Sequence, residues 1–265
     1  MAGESRAGET KLGDFTGLAA DYTRYRQGYA PGVVRALLGL LDRPAAQCDA
    51  ADVGAGTGIW SRILAQAGLR SVTAIEPNDD MRGKGSTHRE NGAIAWRNGS
   101  GEATGLDAQS VDLLTMASSF HWVDFDKGTA EFARVLRPGG RFCALWNPRL
   151  VEANALTAAI ESELDRRLVG KPRVSSGRSG ITQTLTAQLW SHPLFEDIVY
   201  LEGRHVAHLS PEIYMGAWRS VNDVRAKLGE AGFAEFLGWV EKRIEGHKTI
   251  EAVYLTRAWA ARRRA

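Results

Sequence analysis

The run Asp52-Val53-Gly54-Ala55-Gly56-Thr57-Gly58 is the stretch of this chain best suited to holding a ligand. It follows a short apolar run, Cys48 to Val53, and precedes residues 59 to 67, whose apolar positions recur at helical spacing. Glycines at such a place let the backbone turn sharply and approach a ligand without interference from Cβ atoms. The N–H groups at the start of the following helix are then expected to face that ligand. A dinucleotide loop of the form G-x-G-x-x-G needs its third glycine at position 59, where this chain has Ile59. The spacing is instead G-x-G-x-G, with an acid two residues before the first glycine. Asp52 would repel a pyrophosphate and attract a sulfonium cation that also carries an ammonium group. Glu76 closes a second apolar run, Ser71 to Ile75, and can accept both ribose hydroxyl hydrogens of an adenosine. Glu76 alone suits NAD as well as S-adenosylmethionine. Asp52 and the glycine spacing favour the latter.

These residues must be positioned by the elements around them. Val33 to Leu41 reads as a helix with Pro31 near its start, and Gly68 suits the C-cap of the helix over 59–67. Ile94 to Trp96, Val111 to Met116 and Arg141 to Trp146 read as strands, and 128–136 as a helix stopped by Pro138-Gly139-Gly140. Strands alternating with helices predict an α/β fold, a doubly wound Rossmann-like and mostly parallel sheet. After Asn147 the rhythm changes. Residues 152–168, 211–219 and 221–245 read as helices, Ser175 to Gly180 as a Gly/Ser-rich loop, and Ile198 to Val206 and Ile250 to Thr256 as strands. The late strands are expected to complete a seven-stranded sheet, with a helical cap over its carboxyl edge. The predicted division is a tail over 1–13, a cofactor-binding core over 14–147, and cap plus last two strands over 148–265.

Composition narrows the partners. The 265 residues include 33 Lys and Arg against 31 Asp and Glu, a net charge of +2, which predicts no nucleic-acid or membrane partner. No run approaches the ~18 apolar residues of a membrane span, and the polar start of the chain lacks a signal-peptide core. Cys48 and Cys143 lie in apolar runs and form no disulfide framework, so the cytoplasm is the expected compartment. The six histidines show no metal-ligand spacing with Cys or acids, and no metal is expected. Arg262-Arg263-Arg264 reads as a solvated helix end, and Trp190, Trp218 and Trp239 as core residues of the later half.

Five segments in order resemble class I S-adenosylmethionine-dependent methyltransferases, and within them the type 11 group that includes trans-aconitate-methyltransferase-like enzymes. They are Asp21-Tyr22-Thr23-Arg24-Tyr25-Arg26, Asp52 to Gly58, Glu76-Pro77-Asn78-Asp79-Asp80-Met81, Gly99-Ser100-Gly101-Glu102-Ala103, and Ser118 to Asp124 followed by Arg134 to Gly140. The resemblance covers residues 14–147 well and the remainder loosely. It implies that Tyr22, Tyr25 and Arg26 close over the cofactor, with Arg26 at its carboxylate and Tyr25 at the substrate. It further implies that Gly54, Gly56 and Gly58 cradle the cofactor, that Met81 lies against the adenine, and that Ser100, Gly101 and Glu102 flank the ring. Ala117 and Ser118 are then expected to line the methionyl part. The chain departs from the group in three places. Gln27 and Ala30 replace usual prolines, an expectation of a looser N-terminal lid. Ser100 replaces an Asp, and Arg82 to Thr87 is glycine-rich where a helix is usual.

Methyl transfer from a sulfonium asks the protein mainly for alignment, and for a base where the acceptor carries a proton. His121 follows the fourth strand at the carboxyl edge and is the candidate base; the alternative has it shaping the loop through a backbone hydrogen bond. Phe120 and Trp122 are expected to wall an apolar substrate pocket. The expected activity is methyl transfer to a small-molecule acceptor at oxygen or nitrogen, with S-adenosylhomocysteine as the product, by a monomer or homodimer. The alternatives are a nicotinamide-dependent oxidoreductase, or an S-adenosylmethionine-binding protein with another role.

Overall fold

Continuous apolar burial builds the centre of the sheet. β1 (Asp49–Val53), β4 (Val111–Ala117) and the later part of β5 (Leu136–Trp146) are buried along nearly their whole length, the signature of parallel strands covered on both faces. The computed structural model describes residues 23–87, 94–170 and 180–265. β2 (Ser71–Ile75) and β3 (Ile94–Arg97) extend the sheet on one side, and β7 (Ile250–Arg263) and β6 (Phe195–Leu209) on the other, in the order β3-β2-β1-β4-β5-β7-β6. β1 to β5 are parallel, and β7 pairs antiparallel with β5, Cys143 opposite Ala260. The expected seven-stranded, mostly parallel Rossmann-like sheet is therefore present. Strand order reverses between β1 and β4, the switch point where open α/β sheets take their ligands.

Helix α1 (Pro31–Gly39) precedes β1, and α2 (Ile59–Gln66), α3 (Asp79–Ser86) and α4 (Phe125–Val135) connect the strands. One core on the sheet gathers Phe120, Phe132, Phe142 and Trp146; the other gathers Leu37, Trp60, Leu64 and Leu145. Asn78 caps α3 by accepting from Met81 N at 3.0 Å, and Asp124 caps α4 by accepting from Lys127 N at 3.0 Å. α3 forms across the glycine-rich residues that departed from the family pattern, and a packing need explains Gly85, though not Gly83. A Cβ on Gly85 would lie 2.1 Å from the Trp96 ring, so only glycine lets that indole sit against the helix.

The described residues fall into two compact units. The larger comprises 27–87, 94–148, 180–205 and Tyr254–Ala265; the smaller comprises 23–26, 149–170 and Val206–Val253. The smaller unit contains α5 (Ala155–Arg167), α7 (Pro211–Arg219) and α8 (Asn222–Ile244), the last broken at Gly229 where a single helix was expected. α6 (Ile181–Trp190) belongs to the larger unit. In the smaller unit Trp218 is buried edge-on to Phe236, with the Arg149 guanidinium 3.9 Å from its ring centre.

Two expectations are corrected. Trp190 is 70% exposed rather than in the core, because it ends α6 on the side away from Leu185 and Leu189. Arg262 to Arg264 end a strand, not a helix: Arg262 pairs with Asp42 at 2.6 Å, Arg263 donates to Leu136 O, and Arg264 pairs with Glu196. No helix among the described residues is long and apolar enough to cross a membrane, and no three of their His, Cys, Asp or Glu side chains form a metal-holding group.

Candidate functional site

The carboxyl ends of β1, β2 and β4 bring the glycine loop, Glu76 and Ser118 to one edge of the larger unit. Gly54 has φ +66°, and a Cβ there would meet the Ser119 side chain at 2.6 Å, so the loop passes β4 at a distance only glycine permits. The loop's N–H groups are turned into the protein. Gly54 and Ala55 donate to Ile75 O at 2.8 and 3.0 Å, Gly58 donates to Ala55 O at 2.9 Å, and Gly56 donates to Glu76 Oε2 at 2.8 Å.

Glu76 is held at both oxygens, Oε2 by Gly56 N and Oε1 by Asn78 N at 2.9 Å. Burial pushes its pKa up while these two N–H groups pull it down. Each oxygen has further acceptor capacity, so the carboxylate is aimed and still able to take hydroxyl hydrogens. Met81 is buried with its methyl group 3.4 Å from where a Gly56 Cβ would be. Ser100 Oγ donates to Glu102 Oε2 at 3.1 Å, and Asp124 N donates to Glu102 Oε1, tying the segment around buried Gly101 to the start of α4.

Asp52 lies beneath the loop with no exposed surface. Ser61 Oγ donates to it at 2.6 Å and Thr115 Oγ1 at 3.3 Å. Burial pushes its pKa up to about 7, against the pull of these hydroxyls. Asp52 thus supports the loop from below, its side chain on the face where Ser61 of α2 reaches it.

Phe120 is also corrected: it is fully buried among Phe125, Phe132 and Phe142 and faces the core, not a pocket. Ser118 takes a left-handed conformation, φ +57°, and a short 3-10 turn over Phe120–Trp122 follows, so the side-chain alternation of β4 does not continue past Ala117. Trp122 is 40% exposed with its ring centre 4.6 Å from that of His121. His121 Nδ1 accepts from Trp146 Nε1 at 3.3 Å. The indole nitrogen can only donate, so this bond selects the tautomer with its proton on Nε2.

Several residues at this edge carried no signal in the local sequence. Tyr29 OH lies 3.3 Å from Ser118 Oγ. Asn147, just past β5, donates to Gly28 O and accepts from Thr256 Oγ1, both at 2.8 Å, and Ala30 N donates to Thr256 Oγ1 at 2.8 Å. A proline at position 30 could not make that last bond. The departure from the family pattern ties this segment down instead of loosening it. Tyr22 lies outside the described residues. Tyr25 and Arg26 belong to the smaller unit, where the Tyr25 ring packs on Gly216 and Arg26 donates to Ser220 Oγ at 3.0 Å and Ser220 O at 3.2 Å.

Residues 51–144 match the family described as a methyltransferase domain. An uncharacterized methyltransferase of Mycobacterium bovis is 38% identical over 128 residues, 48% of this chain and 49% of that protein. The chain spans about half the length of the curated relatives it matches. Among solved structures, a candidate type II methyltransferase from Anaeromyxobacter dehalogenans has a TM-score of 0.66 at 22% identity, covering 90% of this chain and 98% of its own. A Haemonchus contortus phospholethanolamine N-methyltransferase, solved with S-adenosylhomocysteine, has a TM-score of 0.53 at 14% identity, covering 94% of this chain and 57% of its own. These structures share the fold.

Proposed function

We propose that this chain, residues 51–144 of which match the methyltransferase-domain family, is an S-adenosylmethionine-dependent methyltransferase acting on a small-molecule acceptor, with S-adenosylhomocysteine as its second product. The loop's hydrogen bonding carries the reading. The N–H groups of Gly54, Ala55, Gly56 and Gly58 are engaged by protein acceptors, which removes them as a pyrophosphate cradle and counts against a nicotinamide dinucleotide. Glu76, aimed by two N–H groups, fits the ribose hydroxyls of an adenosine, and Met81 and the Ser100–Glu102 segment fit the base. Gly54, Gly56 and Gly58 keep the loop's surface open to it. Ala117 and Ser118 are proposed for the methionyl part and Trp122 for the acceptor; the roles of Tyr22, Tyr25 and Arg26 rest on the family resemblance alone.

The cofactor, when bound, supplies a methyl group already activated on a sulfonium. The protein's own task is to align the acceptor, which can contribute several kcal/mol to the rate. His121 is better suited to donate a hydrogen bond than to remove a proton. A proton taken at Nδ1 would face the Trp146 N–H, so the proposed role of His121 is to orient an acceptor oxygen or nitrogen through Nε2–H, a group that is buried in this arrangement. Trp146→Phe releases that restraint. It is expected to lower kcat about fivefold, as loss of one neutral hydrogen bond of about 1 kcal/mol would. An unchanged or raised kcat would favour the base role instead.

Calorimetric titration with S-adenosylmethionine, S-adenosylhomocysteine and NAD tests the reading as a whole. Saturable binding of the two sulfur compounds without NAD is expected. Binding of NAD alone would overturn the proposal.

A further inference from the structure

At the opposite edge of the larger unit, where β1, β2 and β4 begin, a cleft of about 640 Å³ opens between Arg43, Arg70, Asp112, Arg137 and Gly139. Asp112 lines it, and Asp49 holds two of its arginines, Arg70 and Arg137, from behind. Asp112 accepts from Arg43 Nη2, from Arg137 Nη1 at 2.6 Å and from Asp49 N at 2.8 Å. Asp49 accepts from Arg70 Nε at 2.8 Å, Arg70 Nη2, Ser71 Oγ at 2.7 Å and Arg137 Nη2 at 3.0 Å. Every oxygen of the two carboxylates is engaged, so they have little capacity left for a donor or a cation. The Arg70 hydrogen bond, with help from Ser71 and Arg137, holds the Asp49 carboxyl well below the usual range, and it stays ionised.

The cations stand above the anions. The carboxylate side chains of Asp49 and Asp112 are 16% and 11% exposed, whereas Arg43, Arg70 and Arg137 are 43%, 49% and 32% exposed. A fourth guanidinium, Arg262, pairs through Nη2 with Asp42, itself part of the lining. Its Nε is buried with no hydrogen-bond partner among the described residues. A buried N–H of this kind costs free energy until an acceptor reaches it. Gly139, with no side chain, leaves open the space beside this guanidinium: a Cβ there would come within 3.1 Å of Nη2. The four guanidiniums face three carboxylates, one positive charge in excess, and donor capacity remains where the inner acceptors are saturated.

We propose that this cleft binds a small phosphorylated anion, recognised by the guanidiniums of Arg43, Arg70 and Arg137, which line it. Planar guanidinium donors match phosphate oxygens two at a time, which an ammonium cannot do. The volume lies within the roughly 300–1,000 Å³ typical of small-molecule sites. The cleft and the methyl-transfer site are at opposite ends of β1, so a ligand here is not the cofactor, and the proposal stands apart from the reading of that site.

Inorganic pyrophosphate is the probe, titrated calorimetrically at ionic strength held constant with sodium chloride. One-to-one saturable binding is expected, weakened at least tenfold in both Arg43→Gln and Arg70→Gln, with S-adenosylmethionine affinity unchanged in each. Should Arg43→Gln melt far below the parent, Arg43→Lys serves instead: it keeps the charge, loses the fork and is expected to weaken binding severalfold. Three results would overturn the proposal. They are no saturable heat with pyrophosphate, equal affinity in a folded Arg43 variant, and binding of an oligonucleotide but not of pyrophosphate, which would assign the guanidiniums to a polymer backbone.

Discussion

Glu76→Ala is expected to weaken S-adenosylmethionine binding at least a hundredfold. Two hydroxyl hydrogens on one carboxylate are charge-assisted bonds, each contributing about 1.5–3 kcal/mol, and the lower end of that range already gives a factor above 100. The variant also frees Gly56 N and Asn78 N, which Glu76 now holds at 2.8 and 2.9 Å, so the loop loses its aim as well as its acceptor. Glu76→Gln separates the two effects. Its single amide oxygen can serve at most one of those N–H groups at its own position, and its NH2 opposes the other. Affinity should therefore stay low even if thermal stability returns toward that of the parent. Calorimetric titration of both variants beside a melting curve is the measurement. Parent-like affinity in a folded Glu76→Ala protein would remove Glu76 from the cofactor site.

The second large effect concerns Asp52 and is read in stability. Burial raises its pKa from an ordinary 3.8 to about 7, a displacement corresponding to roughly 4 kcal/mol. Between those values the folded protein holds a proton that the unfolded chain has released. Stability from this group is therefore fully present below the unfolded value and is lost as pH rises through the folded one. Asp52→Asn does not titrate. Relative to the parent it should gain several kcal/mol of stability from about pH 4 to about pH 8, measured by denaturant unfolding at both ends and between. His192 and His205, held below their usual pKa by burial, titrate alike in the two proteins and cancel from the difference. Parallel pH profiles would mean that Asp52 is ionised throughout. The position of Asp52 also refines its chemistry. With Ser61 and Thr115 on its oxygens, it influences a cationic ligand through the loop that it supports.

The fold was legible because its signals are local. Apolar runs of strand length alternate with helical spacing, and a glycine cluster stands between the first of each, so the parallel half of the sheet follows from order alone. The late strands were legible as extended segments, but their lengths were not. β7 runs to Arg263 where the apolar pattern suggested a stop at Thr256, because pairing with β5 from Arg141 to Trp146 supplies backbone partners that hydropathy does not register.

The places where sequence reading stopped share a cause. Trp96 explains Gly85 only once β3 and α3 are side by side. Ala30 and Asn147 become a tie only when β7 delivers Thr256 between them. Phe120 and His121 are neighbours in sequence, yet the left-handed Ser118 and the turn after it send one into the core and the other to Trp146.

By itself, the sequence determined the strand–loop–helix that carries the glycines, the acid at the end of β2, and the edge of the sheet at which they meet. These depend on residue type and spacing over a few positions. Tertiary structure alone decided which way the loop's N–H groups point, whether Asp52 is exposed, which nitrogen of His121 carries the proton, and which guanidiniums crowd the opposite edge. Each of those is a matter of hydrogen-bond partners far apart in the chain, and burial sets the energy of every one.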